Sequence, residues 1–233
     1  MGSILGFISI DKEYEKTVRR YDCKDGILAI ASYILIMLLY YVMGMVYAKH
    51  NLYLGYYANF FMATFCIFCV LFRKQSLRSI GFQKENSSKS LLLGLILSSV
   101  ILIITLTSGI VGGYQFDTVS RLIQKLGYYF FVIALVEEII FRGFIQTRIY
   151  GITKNSVVAI IVVGFMFMTM HIPFQMGVAK MGLLTFIVNN YVGLLFTFVW
   201  HLVFNFLYSK YNSIVAPTVF HAIMDWCNVI FIR

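Results

Sequence analysis

Two adjacent glutamates, Glu137 and Glu138, lie in the middle of an apolar segment that runs from residue 126 to residue 149. A carboxylate near the centre of a bilayer costs on the order of 3 kcal/mol, and two adjacent carboxylates also repel each other. A chain tolerates such a pair where a partner compensates for the charge or where a function requires it. We therefore expect the chemistry of this protein to involve these two side chains.

Helical spacing separates the expected roles of the two glutamates. Glu138 and Arg142 are four residues apart, so they share one helix face and can pair. Glu137 lies about 100° around the helix and has no partner within it. This makes Glu137 the better candidate for a general base. The alternative interpretation is that both acids belong to a structural ion network with Arg142.

Two further segments carry polar side chains that could join the glutamates. His221 and Asp225, four apart, can hold a metal ion or a water molecule, or Asp225 can fix the tautomer of His221. A histidine satisfied by a neighbouring aspartate, without any function, is the alternative. His171 precedes Pro173, where we expect the helix to end. Phe167 lies one turn before His171 and is expected to wall the site.

Other chemistry-bearing residues are expected to be structural. His201 and Asn205 form a four-residue pair of their own, which predicts an interhelical polar contact outside the site. Cys66 and Cys69 make a C-x-x-C inside an apolar segment, where packing is favoured over metal or redox chemistry. The four cysteines give no disulfide framework.

The composition indicates the membrane elements that must position these residues. Of 233 residues, 60% are hydrophobic and 12% are charged, against about 25% charged in soluble domains. We predict an all-α, polytopic bundle of about seven to eight transmembrane helices. Asn189, Asn190 and Gly193 are expected to break the sixth apolar segment. The apolar segments of bilayer length, about 20 residues, are 26–48, 52–72, 91–111, 126–149, 156–170, 181–208 and 214–232.

The net charge of +9 reflects topology and does not indicate a nucleic-acid partner. Thirteen of the 19 basic residues are predicted to share one side of the membrane, and they lie at 12–24, 73–89, 148, 154 and 210. By the positive-inside rule that side, with the N-terminus, is cytoplasmic. The other side would carry Lys49, Arg121, Lys125, Lys180 and, with seven spans, Arg233.

The first 25 residues are predicted to form a cytoplasmic interfacial segment, and residues 26–233 the transmembrane domain. Residues 11–25 carry many charges and are expected to make a helix on the membrane surface. Met1–Ile10 is apolar but short and lacks a basic start, so it does not resemble a signal peptide.

These residues, in this order, resemble the CPBP family. It comprises the type II CAAX prenyl endopeptidases and bacteriocin-processing intramembrane proteases, formerly called Abi. Its pattern is E-E-x-x-x-R, then F-x-x-x-H, then H-x-x-x-N or D, each on its own transmembrane helix. Here the motif residues are Glu137, Glu138 and Arg142, then Phe167 and His171, then His221 and Asp225. The resemblance covers roughly residues 70–233, which include an L-x-x-I-G-F link at 77–82. Asp225 stands where many members carry asparagine, and its charge favours a bound cation or a protonated histidine.

The resemblance implies hydrolysis of a peptide bond within the membrane. Glu137 would activate a water, with Glu138 and Arg142 holding it in place. His171, His221 and Asp225 would position that water or bind a divalent metal such as Zn²⁺. Without a metal, the two histidines would stabilise the tetrahedral oxyanion.

The geometry implied by the resemblance is a polar cavity at membrane depth. The side chains of Glu137, His171, His221 and Asp225 should converge within a few ångströms, without His201. Because water must enter, we expect the cavity to open to the cytoplasm or sideways to lipid.

The implied setting is a bacterial cell membrane, and the implied substrate is a membrane-associated, lipidated or leader peptide. One alternative is a non-catalytic immunity or scaffold protein with the same fold. Another is a proton-coupled transporter, since carboxylates and histidines also form proton relays. Transporters often show repeated halves, and we find no such symmetry in the sequence.

Overall fold

The computed structural model of the protein describes residues 11–232. The expectations for residues 1–10 and for Arg233 lie outside the described residues. Eight helices fill the described part, together with a 3₁₀ turn at Leu77–Ile80. The helices are α1 (Lys12–Arg19), α2 (Cys23–His50), α3 (Gly55–Phe72), α4 (Ser87–Val111), α5 (residues 119–153), α6 (Ser156–Ala179), α7 (Leu183–Tyr211) and α8 (Val215–Cys227). The strands β1 (Gln115–Phe116) and β2 (Phe231–Ile232) pair antiparallel. The predicted all-α architecture is confirmed.

The bundle has two faces, which the links between helices define. The first, called the basic face, comprises residues 11–25, 73–86, 148–156 and 209–214. Its parts bond to one another, since Asp11 N donates to Ser209 O and Lys154 Nζ donates to Tyr21 O. The second, called the opposite face, comprises residues 49–54, 112–118, 180–182 and 228–232. The β1–β2 pair and a hydrogen bond from Asp117 N to Ile230 O connect two of its links.

Five helices, α2, α3, α4, α6 and α7, are long and apolar enough to cross a membrane. Their outward surfaces expose large apolar side chains, such as Leu38 on α2 and Ile103 on α4, as lipid contact requires. The protein is therefore a multi-pass membrane protein. The seven-span prediction also counted 126–149 and 214–232. These segments fold as α5, which contains the buried charges, and α8, which has only 13 residues.

Two expected helix breaks are wrong. The chain does not end its helix near Pro173, because α6 continues through this proline to Ala179. Neighbouring helices in a membrane can compensate for the missing backbone donor. The helix α7 also continues through Asn190. The side-chain amide of Asn190 donates to the Phe186 carbonyl one turn earlier in α7. A local bond of this kind satisfies an asparagine without unwinding the helix.

Close backbone contacts at glycines fix how the helices cross. A Cβ atom on Gly177 of α6 would collide with the backbone of Gly44 in α2. Gly81 has φ +87°, which only glycine adopts without strain. A Cβ there would lie 2.8 Å from Ile214 N, which donates to the Gly81 carbonyl. The L-x-x-I-G-F link thereby docks on the start of α8.

Candidate active site

The helix α5 carries both glutamates and has an unusual backbone around them. Two π-helical stretches, Tyr129–Ala134 and Ile139–Gln146, flank the short α-helical turn Leu135–Glu138. The backbone remains right-handed at the junctions between these stretches. π-Helical turns are rare and occur frequently at functional sites. A regular helix of 3.6 residues per turn was expected here, and the residue types give no signal for the π-helical turns.

Glu138 and Arg142 form the ion pair that their spacing predicts. Arg142 Nη1 lies 3.2 Å from Glu138 Oε1, and both side chains are fully buried. The guanidinium also lies over two aromatic rings, 4.1 Å from the centroid of Phe167 and 4.8 Å from that of Phe204. Rings at these distances attract a cation through their electron-rich faces. Phe167 thus connects α6 to α5 and also lines the site cavity.

His221 reaches this pair from α8. Its Nδ1 donates to Glu138 Oε1 over 2.9 Å. Its Nε2 lies 3.4 Å from Asp225 Oδ2 and 3.9 Å from Glu137 Oε2. The ring stacks on Phe204 with centroids 4.4 Å apart. Glu138 therefore bridges Arg142 and His221. The Glu138–His221 contact was not predicted, because it joins two residues 83 positions apart in the sequence.

His171 lies on the other side of the same cavity. Its Nδ1 is 2.8 Å from the Phe167 carbonyl. A carbonyl only accepts hydrogen bonds, so Nδ1 carries a proton and Nε2 of the neutral ring is left as an acceptor. Glu137, His171, His221 and Asp225 all line one cavity of about 540 Å³. The structure thus brings the four predicted residues to one place.

His201 does not join them, as predicted. It is fully buried, does not line the cavity, and its Nε2 lies 3.1 Å from the Ile160 carbonyl. The expected partnership with Asn205 is wrong. Within residues 11–232, Asn205 Oδ1 and His201 Nδ1 both lack a hydrogen-bond partner. One ring nitrogen of His201 therefore bonds from α7 to α6, and the pairing expected within its own helix is not made.

The cavity extends from the site towards the opposite face. Near its far end it is bounded by Tyr53, Gly55, Tyr128 and Asn228, which lie close to that face. Of the two openings expected, to the cytoplasm or sideways to lipid, these lining residues do not favour one on the side of the N-terminus. The sideways opening retains support, because Phe196 of α7 lines the cavity and is also 59% exposed on the outside of the bundle.

The predicted metal ligands His171, His221 and Asp225 do not form a ready coordination site. Within residues 11–232, no three His, Cys, Asp or Glu side chains are arranged to hold one metal ion. His221 instead faces carboxylates with both nitrogens. Metal binding by these three residues stays a prediction.

Comparisons with known proteins agree with the motif resemblance. Residues 119–227 match the family model described as type II CAAX prenyl endopeptidase Rce1-like. No match was found among the curated proteins or among the solved structures. The matched range runs from the start of α5 to the end of α8 and contains every predicted site residue. The match is shorter than the range of 70–233 expected from the motifs.

Proposed function

We propose that this protein is an intramembrane endopeptidase, because residues 119–227 match the family model described as type II CAAX prenyl endopeptidase Rce1-like. In this proposal it hydrolyses a peptide bond of a membrane-associated, lipidated or leader peptide. The bound polypeptide would lie in the 540 Å³ cavity. A bacterial cell membrane with the N-terminus in the cytoplasm is the proposed setting. The thirteen basic residues of the basic face and its flanking helix ends, against Lys49, Arg121, Lys125 and Lys180 elsewhere, support this orientation.

The observation that carries the proposal is the burial of Glu137 together with an unpartnered carboxylate oxygen. Its side chain is almost completely buried, and within the described residues its Oε2 has no hydrogen-bond partner. The distance of 3.9 Å to His221 Nε2 is too long for a direct hydrogen bond, so Oε2 keeps the capacity to accept one from a water in the cavity. Glu137 therefore has the position of a base that activates a water.

The neighbouring groups suit the remaining steps of hydrolysis. Glu137 takes a proton from the water, and the resulting hydroxide attacks the scissile carbonyl carbon. His171 Nε2 accepts a hydrogen bond from the water and orients it. Both nitrogens of His221 face carboxylate oxygens, which only accept hydrogen bonds when ionised. A His221 ring protonated at both nitrogens can donate from Nε2 to the oxyanion.

Collapse of the tetrahedral intermediate completes the reaction. The C–N bond breaks, and Glu137 returns the proton that it took from water to the leaving nitrogen. The products are a free carboxyl group and a free amine. Throughout the reaction Glu138 would be a positioning residue, because it holds His221 through Nδ1 and is itself held by Arg142.

The variant Glu137→Gln tests the proposed function. It keeps the shape of the side chain but removes the base, so we expect cleavage to fall about 10³-fold with normal expression and thermal stability. Substrates that accumulate on the variant can be captured and identified by mass spectrometry. Glu85→Gln is the matched control, since Glu85 is 59% exposed on the basic face and its loss should leave cleavage unchanged.

Unchanged processing in cells with normally expressed Glu137→Gln would support a non-catalytic scaffold and overturn the peptidase. Substrate flux through proteoliposomes without peptide cleavage would instead indicate a transporter. The metal prediction is checked separately, by comparing the metal content of the purified protein with that of His221→Ala.

A further inference from the structure

The site cavity and the basic face lie at different ends of the bundle. The cavity extends towards the opposite face, as Tyr53, Tyr128 and Asn228 in its wall show. The basic face contains α1 and the links that carry most of the Lys and Arg side chains. Among the described residues that line the cavity, none comes from residues 11–25, 73–86, 148–156 or 209–214.

The part of α5 between the site and the basic face is closely packed. Every residue at positions 136–149 is buried. A Cβ on Gly143 would lie 2.8 Å from the Ile80 carbonyl oxygen, so the 3₁₀ turn packs directly against the backbone of α5. Beyond it, Arg148 donates to Gln75 Oε1 over 2.6 Å and to Ser79 Oγ over 3.0 Å. These contacts close the floor of the cavity on the basic side.

The charge of the cavity wall restricts what can bind. Glu137 and Asp225 contribute two carboxylates, and no Lys or Arg is among the described side chains that line the cavity. An acidic residue, or a free C-terminal carboxylate beside the scissile bond, would meet like charge without a Lys or Arg partner, and His221 in the wall already lies between the carboxylates of Glu138 and Asp225. The aromatic rings of Tyr40, Phe174 and Trp200 in the wall suit an apolar segment.

Resting on the proposed function, we propose that the substrate reaches the site from outside the cytoplasm. The positive-inside rule places the basic face in the cytoplasm, and the cavity extends the other way. The peptidase then acts on peptides presented at the non-cytoplasmic surface or in the outer leaflet. The cleaved segment is apolar or basic and lies away from a free carboxyl terminus.

Cysteine labelling with a membrane-impermeant maleimide tests this orientation without requiring activity. Cys23 is exposed on the basic face, whereas Cys66, Cys69 and Cys227 are buried. Wild-type protein therefore reports the basic face. In a Cys23→Ser background, Gly182→Cys reports the opposite face, because a Cβ at Gly182 meets no atom within 4 Å. Gln175→Cys reports the cavity, which Gln175 lines.

In right-side-out membrane vesicles we expect Gly182→Cys and Gln175→Cys to label at once and Cys23 only after detergent is added. The Cys23→Ser protein alone should remain unlabelled, which checks that the buried cysteines do not react. If Cys23 labels in intact vesicles while Gln175→Cys requires detergent, the cavity faces the cytoplasm and the inference fails. Labelling of Cys23 and Gln175→Cys under the same condition also overturns it.

Cleavage assays separate this inference from the proposed function. Modification of Gln175→Cys from outside should block cleavage, and peptides with Asp next to the scissile bond should be cleaved more slowly than those with Lys. Equal cleavage of the Asp and Lys peptides would overturn the charge argument. If the wild-type protein showed no peptidase activity at all, the proposed function would be overturned, but the expected labelling pattern would be unchanged.

Discussion

Two arginines in α5, six residues apart and both almost completely buried, have opposite surroundings. Arg148 donates to neutral oxygens, namely the Gly143 carbonyl at 3.0 Å, Thr147 Oγ1 at 2.8 Å, Gln75 Oε1 and Ser79 Oγ. Arg142 contacts the Glu138 carboxylate and two ring faces. Within the described residues, no nitrogen of its guanidinium has a hydrogen-bond partner of good geometry.

The difference separates a network that supports the fold from the network of the proposed active site. The hydrogen bonds of Arg148 fix the 73–80 link to α5. Gln75 in this link also donates to Asp25 of α2 over 2.9 Å, so the network joins α5 to α2. The network around Arg142 leaves one oxygen of Glu137 and one of Glu138 without hydrogen-bond partners among the described residues. Buried polar atoms are usually satisfied, so exceptions require an explanation. Here the explanation is a site whose remaining partners would be substrate and water.

Within this comparison of the two arginines, the largest effect is expected from Arg142→Met. The substitution leaves Glu138 as a buried carboxylate supported only by His221, and breaking a buried pair in this way costs about 3–5 kcal/mol. We also expect cleavage per folded molecule to fall about 100-fold, because His221 loses its fixed partner geometry. Thermal unfolding in detergent and single-turnover cleavage measure the two effects.

Arg148→Met is the matched control for this comparison. It removes the charge without leaving a buried carboxylate, so we expect a smaller cost of about 1–3 kcal/mol from unsatisfied acceptors. Cleavage per folded molecule should be unchanged. Adding Glu138→Gln should restore stability to Arg142→Met but not to Arg148→Met. If Glu138→Gln rescued both variants equally, the two networks would not differ as described.

A smaller loss of activity is expected from a change at Asn59, which contacts the first π-helical stretch, Tyr129–Ala134. Asn59 of α3 is buried, donates to the Val132 carbonyl over 3.0 Å and accepts from the Tyr40 hydroxyl over 2.7 Å. Asn59→Leu leaves both groups without this partner and should cost about 1–3 kcal/mol. Because Val132 lies one turn before Glu137, we expect kcat to fall about tenfold while KM changes little.

Ser98→Ala is the comparison for Asn59→Leu. Ser98 is also buried, but within the described residues its hydroxyl has no hydrogen-bond partner, so its removal should be neutral or slightly stabilising. A loss of stability in Asn59→Leu with unchanged kcat would show that Asn59 supports the fold alone and does not position Glu137.

The sequence predicted which residues form the site better than it predicted which of them contact one another. The i, i+4 spacing gave the Glu138–Arg142 pair, and three short motifs gave the residues that line one cavity. The contact between Glu138 and His221 depends on how α5 and α8 cross, which no local spacing encodes. The π stretches were missed for a similar reason, because tertiary packing sets them and the residue types do not reveal them.

The errors in the fold have one physical cause. Proline and asparagine are helix-breaking signals in water. A helix end was therefore expected at Pro173 and a helix break at Asn190. In a bundle at membrane depth an unsatisfied backbone group is too costly, so the chain keeps its helices and satisfies these residues locally. The sequence left the opening of the cavity undecided between the cytoplasm and the lipid, because it depends on tertiary packing, such as that of residues 136–149 against the 3₁₀ turn.

A third charged network, at the opposite face, extends the comparison to a carboxylate in a link between helices. The hydrogen bond from Lys125 Nζ to Asp117 Oδ2, 2.8 Å long, together with the Thr118 backbone donor, holds the pKa of Asp117 below its ordinary value of 3.8. A lowered folded-state pKa contributes stability above the ordinary pKa, and this stability is lost as the pH falls through the folded value.

Asp117→Asn should therefore lower the Tm at neutral pH by a few degrees at most, about the effect of a single surface pair, and the difference should vanish well below pH 3.8. Because Lys125 also donates to the Val229 carbonyl, the loss should loosen the β1–β2 connection, which faster hydrogen exchange at residues 229–232 would report. Glu85→Gln removes an ion pair whose two side chains are both mostly exposed, so its Tm should not change at any pH. If Asp117→Asn kept its Tm deficit in acid, the contribution of Asp117 would come from shape and hydrogen bonding and not from its charge.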